Sequence, residues 1–467
     1  MDLRLVQIWA VVALYIIAMV IVGIKSAKKT KTLTDFVVGS RKAGPWMSAF
    51  AYGTTYFSAV LFIGYAGRSG WDFGLWAILI GAANAALGAY LAWKLLASKT
   101  RDVTRRLKIK TMPQLFEARY QSKNIKTFAA ILIFIFMIPY SASVYSGLSY
   151  LCEIVLGINY MWAMVAIACI AAIYLVAGGY IASLSADLIQ GIVMIGGVIL
   201  MIFFIIRADE VGGLTEGIPR LLEHMDAQEV LSLDGSQIMK LIGLCLLTSV
   251  GTWGMPQMIQ KFYGVANDKA IKTGTVVSTA FAGIISIGAY FVGSLTRLFF
   301  TEVPDGIHDK MIPVMLNSAL PALLLGVVLI LVLSASVSTL SGITLTSCST
   351  ISLDLVAARK NSKITKEQTL TLTRVMCLIF IILSYIIAAV KTPILLLMSF
   401  SWGTVSGAFL APYLLGLWWK KMNKMGAWFG MIAGSSISIL LAIFSGFDAA
   451  NAPLFGVIAM VSSFIAC

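Results

Sequence analysis

The sequence predicts an all-α polytopic membrane protein, and three observations carry that prediction. Hydrophobic residues make up 59% of the 467-residue chain and charged residues only 12%, where a soluble chain would carry roughly 25% charged residues. The apolar residues are gathered into long runs of membrane-spanning length. Charge is confined to the connections between the runs, with basic and acidic connections falling on opposite sides.

Apolar segments lie at about 5–24, 46–66, 73–96, 127–156, 160–178, 184–207, 237–262, 273–299, 319–352, 369–390, 393–418, 425–446 and 453–467. The first begins after acidic Asp2 and a single Arg and lacks an A-x-A cleavage site, so it reads as a retained span rather than a signal peptide. The thirteenth, at fifteen residues, is shorter than the roughly 20 needed to cross the hydrocarbon core. The last span therefore reads as truncated.

Lys25, Lys28, Lys29, Lys31, Arg41 and Lys42 precede the second segment, and Lys99, Arg101, Arg105, Arg106, Lys108 and Lys110 follow the third. Lys261, Lys269 and Lys272 follow the seventh, Arg359, Lys360, Lys363 and Lys366 the ninth, and Lys420, Lys421 and Lys424 the eleventh. If every segment crosses, all of these share one side. Asp209, Glu210, Glu216, Glu223, Asp226, Glu229, Asp234, Glu302, Asp305 and Asp309 share the other. The basic side is read as cytoplasmic, which puts the N-terminus outside and the protein in the plasma membrane.

This placement of Lys and Arg also accounts for the net charge of +14, so a nucleic-acid partner is excluded. The six cysteines form no CxxC pair or metal-like spacing and read as small core residues.

Two segments are not ordinary helices. The second carries Gly53-Thr54-Thr55-Tyr56 in mid-span, and the seventh carries Gly251, Thr252, Gly254 and Pro256. Glycine lowers helix propensity and proline removes a backbone donor, so both are expected to unwind. Either they are simple kinks, or their freed carbonyls and half-helix ends bind ion and solute near the midplane. Each opens a five-segment unit, 45–207 and 237–418, and an odd number of spans makes two such units inverted repeats. Residues 5–24 then form an extra N-terminal helix and 424–467 the C-terminal helices of a single transporter domain.

Charge within the membrane is scarce. Asp187, in SLSADLIQG, is the clearest case; it either caps or solvates at the membrane edge near Ser183 and Ser185, or lines an ion exit path. Glu153 and Asp354 read as interfacial. Both histidines, His224 and His308, fall in acidic-side loops, so neutral oxygens outnumber proton carriers. No Walker A motif and no activated nucleophile is present, and the chain does not read as an enzyme; no organic cofactor is expected.

The run VVLILVLSASVSTLSGITLTSCSTISLDL at 327–355 sets Ser334, Ser338 and Ser341 on one helical face with Ala335 and Thr339 alongside. Close helix packing and a site for a weakly held monovalent cation both explain such a hydroxyl ladder.

GSRKAGPWMSAFAYGTTYFSAVLFIG, ADLIQG, WGMPQMIQKF and LSASVSTLSGITLTSCSTISLDL, in that order, resemble the sodium/solute symporter family, including its pantothenate- and proline-type members. The resemblance implies a LeuT-type 5+5 fold and sodium as coupling ion. It implies a sodium site from the carbonyls of Thr54, Phe57 and Ala335 and the hydroxyls of Ser338 and Thr339. Some members have a second sodium site that Asp187, Ser338 and Ser341 would match, but Gly342 stands where those members have serine. Thr248 and Thr252 stand where proline-transporting members carry Trp and Tyr, and Leu61 where sugar-transporting members carry Gln. A small carboxylate or amino acid is the expected solute, with Tyr56, Ser58, Asn84, Thr248, Thr252, Trp253 and Pro256 as candidate contacts. A transporter-like sensor domain and a channel are the rival readings.

Overall fold

The structure is a computed structural model in which residues 3–27, 32–39, 41, 43–227, 229–358 and 364–467 are described. Lys28, Lys29, Lys31, Lys42, Arg359, Lys360 and Lys363 of the basic connections lie outside the described residues. The described chain is helical, with one isolated parallel bridge between Ala43 and Val265. Each of the thirteen segments falls on helix. By length and composition nine helices among the described residues can cross a membrane, or ten when the bent pair around Met255 counts as one span.

The helices that position the site are α1 (Leu3–Ala27), α2 (Pro45–Tyr56), α3 (residues 60–73) and α4 (residues 74–106). They continue as α5 (Lys123–Leu156), α6 (Tyr160–Ile206), α7 (Gly235–Ser249), α8 (Pro256–Tyr263), α9 (Asp268–Phe299) and α10 (Ala322–Val356). Four more close the bundle: α11 (Lys366–Ala388), α12 (Ile394–Trp418), α13 (Lys424–Phe444) and α14 (Ala452–Ala466).

The first break lies four residues later than Gly53 suggested. Gly53 to Tyr56 stay helical, and Phe57 leaves the helix at φ −110°, ψ 136°. Gly53 is there for space: a Cβ would sit 2.5 Å from the Phe281 ring. The second break falls where proline dictates. A 3-10 turn over Val250–Gly254 leads to extended Met255, Pro256 opens α8, and the two halves meet at 48°.

Gly179 divides α6 at φ 55°, ψ −150°, a conformation that requires glycine. A Cβ there would also meet the Phe36 ring at 2.5 Å. The hydroxyl-rich α10 packs between α1, α5 and α6, next to α2. Asp354, read from sequence as interfacial, is 3% exposed near the end of α10. It accepts hydrogen bonds from Thr111 Oγ1 at 2.6 Å and Gln114 Nε2 at 2.7 Å, because the short helix Met112–Tyr120 folds back beneath it. The cysteines are unpaired among the described residues; Cys348 and Cys377 are buried, but Cys169 is exposed, so it is not the core residue expected.

Two contacts lock the acidic end. Gly70 and Gly293 bring the backbones of α3 and α9 together, so that a Cβ on Gly293 would lie 2.0 Å from the Ala66 carbonyl oxygen. Ala66/Gly70 and Ala289/Gly293 form a small-residue seam one helical turn long on each side. Nearby, Asp309 accepts from the Ile394 backbone N–H at the start of α12. Burial pushes its carboxyl up to about 6, against the pull of that hydrogen bond and of Arg68.

Gly293→Val is expected to disrupt the α3–α9 seam, lowering the heat stability of purified protein by an amount equivalent to about 3 kcal/mol, the upper end of overpacking costs; unchanged melting would contradict the contact. Because the folded-state pKa of Asp309 lies above its ordinary 3.8, its stabilising contribution is full below about pH 4 and is lost as pH rises through about 6. The fall in melting temperature between those values should therefore be smaller in Asp309→Asn than in the wild type.

Candidate ion and solute site

The site forms where α10 crosses the break between α2 and α3. Past Tyr56 the i−4 pattern fails, so carbonyls at the end of α2 lose helical partners that hydrocarbon cannot replace. Thr339 lies opposite them. Its Oγ1 is 3.3 Å from the Thr54 carbonyl oxygen, 3.3 Å from that of Thr55 and 3.2 Å from that of Phe57. One hydroxyl proton can serve only one of these acceptors, so oxygen lone pairs accumulate around a common point. A hard cation of sodium's size bonds oxygens at about 2.4 Å, and an octahedron of such bonds has edges of about 3.4 Å. The observed spacings match those edges.

Ser338, the next residue, is 1% exposed. Its Oγ is 2.6 Å from Asp187 Oδ1 and 2.9 Å from Thr54 Oγ1. The carboxylate is the stronger acceptor, so Ser338 donates there and its lone pairs stay available. Thr54 Oγ1 in turn donates to the Phe50 carbonyl at 2.9 Å. Ala335, one turn before Thr339, is fully buried. Thus Thr54, Phe57, Ser338 and Thr339 are brought together as expected, with Ala335 on the adjoining turn, and the Thr55 carbonyl joins them unforeseen.

Asp187 is 0% exposed, which removes the reading of a solvated or capping carboxylate at the membrane edge. Its Oδ2 lies 3.1 Å from Lys261 Nζ. The sequence sets Lys261 among the loop lysines after the seventh segment, but α8 runs on to Tyr263 and holds it inside at 5% exposure. The spacing Gln257, Lys261 at i, i+4 on a helix opened by Pro256 was the signal that could have placed it. Tyr180, the residue after the Gly179 turn, sets its ring 5.4 Å from Lys261 Nζ.

Ser341 points away from this cluster in bonding terms, donating to the Val337 carbonyl at 2.7 Å. Gly342 has a packing reason: a Cβ would approach Thr55 Cγ2 to 3.2 Å. Ser336 does a separate job, accepting from the Ala59 backbone N–H at 3.3 Å and so capping the start of α3 across the break.

Beside the ion cluster lies a small cavity of about 20 Å³ among Tyr56, Phe57, Ser58, Leu61, Tyr65, Asn84, Thr248, Tyr290, Met398 and Trp402. None of these side chains is charged. Tyr56 donates to the Thr248 carbonyl at 2.6 Å, and Thr248 Oγ1 lies 2.8 Å from Asn84 Oδ1. Tyr290 Oη and Trp402 Nε1 are buried and make no well-aligned hydrogen bond, with Asn84 beside the first and Tyr140 beside the second. Of the seven candidate solute contacts, Tyr56, Ser58, Asn84 and Thr248 line this cavity. Thr252, Trp253 and Pro256 do not: Thr252 Oγ1 donates to the Ser249 carbonyl, Trp253 Nε1 to the Leu87 carbonyl, and Pro256 starts α8.

The profile of the sodium:solute symporter family matches residues 36–434. The chain belongs to the sodium:solute symporter family. Within it, the chain is 26% identical over 450 residues to the osmoregulated proline transporter of Bacillus subtilis, covering 94% of this chain and 89% of that one. It is 27% identical over 421 residues to the sodium/pantothenate symporter of Haemophilus influenzae, covering 89% and 86%. Among solved structures, the substrate-bound outward-open state of a Na+-coupled sialic acid symporter superposes with a TM-score of 0.81 at 20% identity, covering 98% of this chain and 96% of that one. The fold is therefore the LeuT-type fold expected, and the relatives are transporters, not enzymes.

Ser336→Ala should leave the Ala59 N–H buried without an acceptor, a loss of ~1–3 kcal/mol, read as a lower melting temperature in detergent. A variant as stable as wild type would show that the cap at the break is dispensable.

Proposed function

We propose that this family member is a sodium-coupled symporter that moves a small organic solute by alternating access. The observation that carries the reading is the convergence of the Thr54, Thr55 and Phe57 carbonyl oxygens on Thr339 Oγ1 at 3.2–3.3 Å. Neutral oxygens at that spacing suit a monovalent hard cation. Sodium bound there ties α2 and α3 to α10, and so stabilises one arrangement of the bundle over the other. Any solute favoured by that arrangement then binds more tightly with sodium present, and the coupling is reciprocal.

The solute is a small carboxylate or amino acid. The cavity beside the ion cluster carries no charged side chain, yet Tyr290 Oη and Trp402 Nε1 offer buried donors. A carboxylate can accept from such donors while the neighbouring sodium balances its charge. Relatives named for proline and for pantothenate fit the same chemistry. At about 20 Å³ the cavity admits no such solute without local opening, which favours a carrier over an open channel. Ser58, Asn84 and Thr248 are the polar contacts, with Tyr56 stacked on Phe57 at 4.3 Å as the wall between solute and ion.

The basic end faces the cytoplasm and the N-terminus lies outside. Arg4 supports this orientation: it donates to Asn317 Oδ1 at 3.1 Å, on the short helix that follows the acidic 302–309 connection. Residues 45–207 and 237–418 act as inverted repeats, each opened by a broken helix.

In proteoliposomes, uptake of labelled proline or pantothenate, the two probes chosen, is expected to rise at least tenfold under an inward sodium gradient relative to potassium. Ser338→Ala and Thr339→Val should each raise the sodium concentration for half-maximal stabilisation against heat by tenfold or more, which corresponds to about 1.4 kcal/mol. Sodium affinity unchanged in both variants would refute the site.

A further inference from the structure

The Asp187–Lys261 pair stands apart from the other ion pairs among the described residues. Its side chains are 0% and 4% exposed, whereas each of the others has a partner at least 29% exposed. It joins the α6 carboxylate to the half of the broken helix that follows Pro256, and its other oxygen holds the proton of the ion-site hydroxyl Ser338.

We propose that Lys261 is a tethered counter-cation that limits this transporter to one sodium ion: its ammonium holds the cation position at Asp187, and the Thr54–Phe57–Ser338–Thr339 cluster takes the single mobile ion. The proposal rests on the sodium-coupled reading above and adds a residue and a stoichiometry to it.

The argument is one of charge. A carboxylate wholly removed from water needs one positive partner. Lys261 supplies it at 3.1 Å from Oδ2, and Tyr180 backs the ammonium with a ring 5.4 Å away. A sodium ion added at Asp187 would sit against that ammonium, and two like charges at contact distance in a water-free site repel strongly. Ser183 Oγ, one turn before Asp187 on α6, and Gln257 Oε1, one turn before Lys261 on α8, are buried oxygens without partners. The helix faces that carry the ion pair thus also carry spare neutral oxygens, and the chain's own amine holds the positive charge between them.

The test uses sodium alone. Equilibrium binding of radioactive sodium to purified protein should give one ion per chain with a Hill coefficient of about 1. Lys261→Met should bind two, with the slope of melting temperature against log sodium concentration doubled, because each site adds its own stabilisation. Lys261→Arg and the double variant Asp187→Asn/Lys261→Met should both return one. Two ions in the wild type would overturn the proposal without need of any variant. So would a single ion in folded, monodisperse Lys261→Met or Lys261→Gln. No sodium bound by the wild type would instead overturn the sodium-coupled reading itself, so the two failures are distinct.

Discussion

A helix that breaks inside a membrane leaves backbone carbonyls facing a medium that cannot hydrogen-bond to them, and the centre of this protein follows from that constraint. The break after Tyr56 releases carbonyls at the end of α2, and α10 brings hydroxyls to them. Thr339 reaches three of them at once, while Ser336 covers the Ala59 N–H on the far side of the gap. The hydroxyls that make α10 look over-furnished for a membrane helix are the complement of a discontinuity elsewhere. Because one threonine proton cannot satisfy three acceptors, the same arrangement that makes the break tolerable leaves oxygen lone pairs unmatched.

The carboxylate beneath this cluster obeys a related rule. Asp187 is fully buried, so its charge must be met within the protein. Ser338 and Lys261 meet it from two different helices, one built into the ion cluster and one into the second broken helix. An electrostatic requirement thereby links the two discontinuities, whose sequences are separated by some two hundred residues. Burial of a pair like this contributes little net stability compared with apolar packing, but losing either member is severe. Its value lies in fixing which elements face each other.

Much of this was legible in the sequence. The thirteen apolar segments, the proline-directed break at Met255, and the pairing of Thr54 and Phe57 with Ser338 and Thr339 all follow from helical period, proline chemistry and family resemblance. Three things were not. The first break sits at Phe57 because Gly53 answers to the Phe281 ring, and a glycine needed for space looks the same in sequence as one needed for unwinding. Lys261 and Asp354 look like membrane-edge charges when position along the chain is taken for depth; α8 carries Lys261 inward to Asp187, and the short helix Met112–Tyr120 folds back over Asp354. Of the cavity's lining, Tyr56, Ser58, Asn84 and Thr248 were legible beside the two breaks or as a lone amide in a span, whereas Tyr290 and Trp402 reach it from α9 and α12, where a single aromatic residue looks like ordinary packing.

The parallel bridge between Ala43 and Val265 ties the chain two residues ahead of α2 to the chain two residues past α8. Ala43 N–H donates to the Gly264 carbonyl, Ala266 N–H donates to the Ala43 carbonyl, and Arg105 reaches both Arg41 and Val265 carbonyls. The two broken helices therefore share one seal at the basic end, and neither half-helix can swing aside alone without stranding backbone donors. The two discontinuities are thus mechanically joined at one end, so that displacing either half-helix there costs backbone hydrogen bonds shared with the other.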